Sequence, residues 1–215
     1  MLGKAVESCD QCELGRHGPC LFRPKKVAAG TMVAHQGEVS REVLFVKEGV
    51  LGLTATDAAG DEVLTSVRGP RSVIGLESLS GKPSPFTVTA LDDATVCSLN
   101  TTRLSRETGL DTQKTLSSAF LGLVLEEHAT ALRDADLRAG LSRTRVARFL
   151  VAYSKLVKPG RKAAFSKSHV AALLGIRPET LSRSLRQFAE DGLIGNDRLE
   201  VLDEAALAEI GRGAR

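Results

Sequence analysis

The segment from Ser166 to Phe188 admits few backbone paths. Ser166 is suited to cap a helix, because its hydroxyl can accept from a backbone N–H just inside the first turn. Ala171 is small enough for a second helix to approach closely, Gly175 supplies a turn, and Pro178 fits the first turn of the next helix. On that next helix Leu181, Leu185 and Phe188 fall at i, i+4 and i+7, an apolar face directed at Val170, Leu174 and Ile176. The layout is that of a helix-turn-helix.

The other side of the second helix carries Glu179, Ser182 and Arg183 at i, i+3 and i+4, three hydrogen-bonding groups on one face near the helix start. Arginine can grip guanine O6 and N7 together, a carboxylate can accept from a cytosine amino group, and serine can meet several base edges. Lys167, Arg177 and Arg186 flank this face as expected phosphate contacts. From Leu137 to Phe188 there are twelve Lys or Arg against one acid, Glu179, a balance that points to a polyanion. With no Trp and one Tyr, stacking on unpaired bases has few candidates, so the expected partner is double-stranded DNA. An ordinary helical hairpin with a solvated charged face is the competing reading. Leu193 to Leu202 reads as two strands around Gly195, Asn196 and Asp197, a hairpin wing beside the helices.

Upstream, about Lys25 to Leu99 reads as short strands. Val43–Lys47 and Val50–Thr54 are β-rich runs separated by Glu48 and Gly49, and Phe86–Ala90 and Ala94–Ser98 flank Asp92 and Asp93 as an expected hairpin. Many short strands at this spacing suggest an antiparallel barrel or roll. Near Asp111 the period changes. Leu116, Phe120, Val124, His128 and Leu132 recur every four residues with Leu121 and Leu125 beside them, which predicts one long helix to about Leu137. A second copy packed alongside would complete this stripe as a two-helix coiled coil through residues 116–137; the alternative lays the stripe on the chain's own roll. Arg145–Ala152 reads as a further amphipathic helix.

The expected architecture is α+β: a cysteine-rich loop over residues 1–24, an antiparallel β-roll over 25–110, a dimerisation helix over 111–138, and a winged helix-turn-helix over 139–215. A chain of 215 residues with 42% hydrophobic content can supply two modest cores. No apolar run approaches the ~18 residues that span a bilayer, and the start lacks a signal-peptide layout. A cytoplasmic protein with no membrane partner is expected.

Three of the four cysteines, Cys9, Cys12 and Cys20, lie together near the start, and Cys97 stands far downstream. Three thiols in a loop and a fourth from elsewhere make a tetrathiolate cage for an iron–sulfur cluster or for zinc, with His17 as a substitute ligand. A disulfide switch is a further reading. A dithiol oxidoreductase built on Cys9 and Cys12 lacks the βαβ context of that motif, and no enzyme is expected.

Roll, long helix and winged helix-turn-helix, in that order, resemble the CRP/FNR superfamily of bacterial transcription factors from about Lys25 to the C-terminus. Pro178 to Arg183 is similar to the E-x-x-S-R recognition helix of its FNR-like branch, which implies TTGAT-type half-sites arranged as a palindrome. Where cyclic-nucleotide binders carry a Gly-Glu pair and then an Arg-Ser pair, this chain has Gly75-Leu76 and Ser84-Pro85. The resemblance therefore implies no cyclic nucleotide. It implies instead a [4Fe–4S] cluster held by Cys9, Cys12, Cys20 and Cys97, with zinc as the alternative, sensing of oxygen or nitric oxide, a homodimer on DNA, and RNA polymerase as a further partner.

Overall fold

Val43, Leu44, Phe45 and Val46 are all buried, so strand β3 (Glu42–Glu48) is covered on both faces and belongs inside a sheet. The computed structural model describes residues 22–56, 60–102, 110–156, 166–195 and 200–213, with the backbone alone for 110–120. In it β3 is interior to a four-stranded sheet ordered β1-β8-β3-β6, where β1 is Arg23–Val27, β8 is Ala94–Asn100 and β6 is Val73–Ile74. The register is antiparallel throughout. Phe45 lies opposite Cys97 and Val73, and Val43 opposite Leu99. Strand β2 (Met32–Ala34) pairs antiparallel with β7 (Thr87–Ala90), and β4 (Leu51–Thr56) neighbours β5 (Glu62–Arg68).

Glu48 and Gly49 separate β3 from β4 as expected, for a steric reason. Gly49 has φ +85°, and a Cβ there would lie 2.5 Å from the Asp93 carbonyl oxygen and 2.6 Å from Ala94 Cα. Only glycine fits. The expected hairpin around Asp92 and Asp93 is corrected. Strands form on either side, but β7 pairs with β2, whereas β8 pairs with β1 and β3. Asp93 Oδ1 accepts from the Ala29 N–H (3.1 Å), tying the bend to the end of β1 rather than closing a two-strand turn.

Five α-helices follow among the described residues: α1 (Leu110–Leu137), α2 (Ser142–Ser154), α3 (Lys167–Leu174), α4 (Pro178–Glu190) and α5 (Glu204–Gly211). The architecture is α+β, a jelly-roll-like strand region followed by helices that include a helix-turn-helix. By packing, the chain divides into two compact units. One combines the described residues up to Leu51 with Arg68–Thr130; the other combines Gly52–Val67 with Ala131–Arg215.

In the first unit, Phe22, Val43, Phe45, Val73, Cys97, Leu99 and Leu123 form a buried cluster, so α1 contributes Leu123 to the core. Four residues on, Glu127 pairs with Arg68. The helix presents Leu121, Val124, Leu125 and Leu132 to solvent, and His128 is also exposed. The described part of the expected stripe is thus turned to solvent; its Leu116 and Phe120 side chains lie outside the described residues. In the second unit, Val146, Ala147, Phe149, Leu150 and Tyr153 of α2 are buried, as are Val170, Leu174, Leu181, Leu185, Phe188 and Leu207 from the helices around it. The rings of Phe149 and Tyr153 stack at 5.5 Å.

Candidate nucleic-acid interface

The local signals between Ser166 and Phe188 act as their chemistry dictates. Ser166 Oγ accepts from the His169 N–H (3.2 Å) and caps α3. Ala171 is buried, and Gly175 adopts φ +61° just beyond the helix. Pro178 opens α4, where its missing N–H costs no intrahelical bond. Leu181, Leu185 and Phe188 are buried on one side of α4. Ile176 is half-buried.

Glu179, Ser182 and Arg183 are exposed on the opposite side within the first two turns of α4, so the helix places the three predicted base-reading groups together. Lys167 at the start of α3 and Arg177 just before α4 are exposed as well. Arg186 is exposed one turn beyond Ser182, its Nε 4.0 Å from Glu190 Oε1. Ile194 and Val201 form an antiparallel bridge, with the Gly195 N–H donating to the Glu200 carbonyl (2.8 Å) and the Leu202 N–H to that of Leu193 (2.9 Å). The base of the expected wing is therefore paired; residues 196–199 lie outside the described residues.

Several basic residues counted toward the polyanion-facing excess are committed elsewhere. Arg148 donates through Nε to the Gly211 carbonyl (2.6 Å) and through Nη1 to the carbonyls of Asp136 (2.9 Å) and Ala139 (3.2 Å). Arg143 pairs with Asp191 (3.1 Å) and sits over the Phe188 ring at 5.3 Å from its centroid. Lys155 pairs with Glu204 (3.0 Å). Arg138 and Arg145 both reach the carbonyl end of α3. Sequence reasoning missed these roles, because the acceptors are mostly backbone atoms tens of residues away and no local spacing signals them.

The tetrathiolate expectation is corrected. Cys97 is 8% exposed in the middle of β8, with Phe22, Phe45, Val73 and Leu123 in its cluster, an apolar setting. Among the described residues no group of three or more His, Cys, Asp or Glu is placed to hold a metal ion. Cys9, Cys12, Cys20 and His17 lie outside the described residues. What is described fits neither a [4Fe–4S] cluster nor zinc, and Cys97 is a core residue of the strand region.

In the Gly75-Leu76 pair, Gly75 has φ +86° and a Cβ there would meet the Glu42 carbonyl oxygen at 2.6 Å. Ser84 is buried, its hydroxyl donating to the Phe86 carbonyl (2.8 Å). Among the described residues, no helix is long and apolar enough to cross a membrane.

The strand region matches the cyclic nucleotide-binding domain model over residues 24–107, and the helical region matches the Crp-like helix-turn-helix domain model over residues 144–210. Over 200 residues the chain is 32% identical to the cyclic AMP receptor protein of Thermus thermophilus, covering 89% of each chain. It is 26% identical to the transcriptional activator protein Anr of Pseudomonas aeruginosa, over 89% of this chain and 81% of that one. Among solved structures it is similar to FixK2 of Bradyrhizobium japonicum, with a TM-score of 0.71 at 20% identity over 88% of this chain and 96% of that one. A CRP-family transcriptional regulator of Thermus thermophilus gives 0.70 at 22% identity over 87% and 96%. With a strand region, a long helix and a capped helix-turn-helix in the order these relatives share, the chain belongs to the CRP/FNR superfamily of transcriptional regulators and is a sequence-specific DNA-binding protein.

Proposed function

We propose that two copies of the chain associate through α1 and bind a palindrome of TTGAT-type half-sites, with each α4 in a major groove. The observation that carries this reading is the exposed face of Glu179, Ser182 and Arg183 at the start of α4. The G·C pair of TTGAT offers guanine O6 and N7 to the Arg183 fork and, on the opposite strand, a cytosine amino group to the Glu179 carboxylate. Ser182 is small enough to let both approach and can itself meet a base edge. Lys167, Arg177 and Arg186 neutralise phosphates on either side, which sets register without reading sequence.

Two-fold symmetry is supported by α1. Leu121, Val124, Leu125 and Leu132 are 46–61% exposed and form a stripe at coiled-coil spacing. Burying apolar area gains about 25 cal/mol per Å², and an identical stripe on a second copy is the complementary surface. A palindromic operator is the DNA counterpart of that symmetry.

The test is selection of duplexes from a random pool by the full-length protein. Enrichment of two TTGAT-type half-sites, centred about one helical turn apart, is the expected result. Selected sites lacking either the G·C pair or the two-fold symmetry would overturn the reading.

A further inference from the structure

The carbonyl end of α3 is the joint on which the reading head turns, since Gly175, Ile176 and Arg177 alone separate α3 from α4. A helix leaves its last four carbonyls without intrahelical partners, and at a packed joint each needs another donor. Here all four are satisfied. Ala171 accepts from the Ile176 N–H (3.0 Å) and Ala172 from the Gly175 N–H (3.0 Å), the local closure that a left-handed Gly175 permits. The other two partners are arginines from outside the motif. Leu173 accepts from Arg138 Nε (2.8 Å), and Leu174 from Arg145 Nη1 (3.3 Å), which also reaches the Gly175 carbonyl (3.4 Å).

The two arginines have different origins. Arg145 lies on α2, and its Nε donates to the Gly140 carbonyl (2.8 Å). Arg138 is the first residue beyond α1, and its N–H still closes onto the Ala135 carbonyl (3.1 Å). A single side chain therefore connects the last turn of α1 to the turn of the helix-turn-helix. We propose that Arg138 is a positioning residue for DNA reading: its Nε–H holds the Leu173 carbonyl and thereby fixes the orientation of α4 relative to the end of α1. In this role Arg138 acts through a neutral backbone acceptor, and its charge is secondary. It does not touch DNA.

The distinction can be tested because glutamine carries its Nε2 on Cδ, as arginine carries Nε, but has no charge, whereas methionine matches the length with no donor. Full-length wild type, R138A, R138M and R138Q are titrated by fluorescence anisotropy, at several salt concentrations, against a duplex selected by the wild type and against one of unrelated sequence. Nothing in this comparison requires the TTGAT reading, so the two can fail separately. R138A and R138M are expected to weaken binding to the selected duplex about tenfold, the worth of one well-made hydrogen bond. R138Q should stay within about threefold of wild type, the remainder being the charge–dipole contribution at a helix end. Affinity for the unrelated duplex and the salt slope should not change.

Equal loss on both duplexes, a salt slope smaller by about one per subunit, and an R138Q no better than R138A would make Arg138 a phosphate contact and overturn the proposal. Unchanged binding by R138A would overturn it as well. Should R138A fold poorly, the length-matched pair R138Q and R138M still decides the matter.

Discussion

Arg68 on β5 donates through both Nε (3.1 Å) and Nη2 (2.6 Å) to Oε1 of Glu127 on α1, with its side chain only 5% exposed. A guanidinium cannot shed its charge on burial, so it requires an ionised partner. Glu127 lies one turn beyond Leu123, which is packed into the core cluster, and the two fix which side of α1 faces inward. Leu121, Val124 and Leu125 are left outward. Replacing Glu127 by Ala takes the carboxylate away from a buried cation and is expected to cost about 2–3 kcal/mol, below a fully buried pair because the carboxylate keeps some water. Urea unfolding at unchanged m-value reads the loss. A midpoint equal to wild type would mean that the pair does not orient the helix.

The stripe makes the opposite prediction. Leu125 is 60% exposed, so Leu125→Glu, a change between two good helix formers, should leave the fold of a single copy intact. Two such carboxylates would meet in a coiled-coil seam. Wild type should sediment as a dimer with a melting temperature that rises with protein concentration, and L125E as a monomer whose melting temperature does not. A dimeric L125E would place the interface elsewhere.

What could be read in advance divides along a physical line. Ser166, Ala171, Gly175 and Pro178 each act on their own or adjacent turns, so the helix-turn-helix was legible residue by residue. The stripe on α1 was legible for the same reason, because helical period is local. Strand partners are not local: Asp92 and Asp93 mark where the chain bends, but the choice of β2 for β7 and of β1 and β3 for β8 depends on chain segments as far apart as Arg23 and Ser98. Cys97 illustrates the same limit. Counting thiols says nothing of whether a given one faces a core, and this one is enclosed by side chains from β3, β6 and α1 and from Phe22 just before β1. Arg138, Arg145 and Arg148 were visible only as positive charge; that they serve helix-end carbonyls is a tertiary fact.

On DNA, Arg183 and Lys167 should separate by what they lose. Both are exposed cations, one in the second turn of α4 and one at the start of α3. Arg183→Ala should cost about 1–3 kcal/mol on the selected operator and flatten the preference at one base pair. Lys167→Ala should weaken all duplexes alike and lower the salt slope by about one per subunit. Anisotropy titrations against single-base variants of the operator distinguish the two. Retained discrimination in Arg183→Ala would remove it from the reading face.

Cys97 carries the last test. Its strand neighbours are Pro24 on β1 and Phe45 on β3, and its side chain contributes volume to a cluster otherwise made of Phe, Val and Leu. A buried cysteine in such a place packs as a small hydrophobe. Truncation to alanine removes one sulfur, and the surrounding rings can close part of the gap, so Cys97→Ala should cost about 1 kcal/mol, well below the loss from a buried leucine. The urea midpoint should shift accordingly with no change in m-value, since the surface exposed on unfolding is the same. A loss above about 3 kcal/mol would be too large for a volume-filling role. The interactions of the thiol would then outweigh its packing.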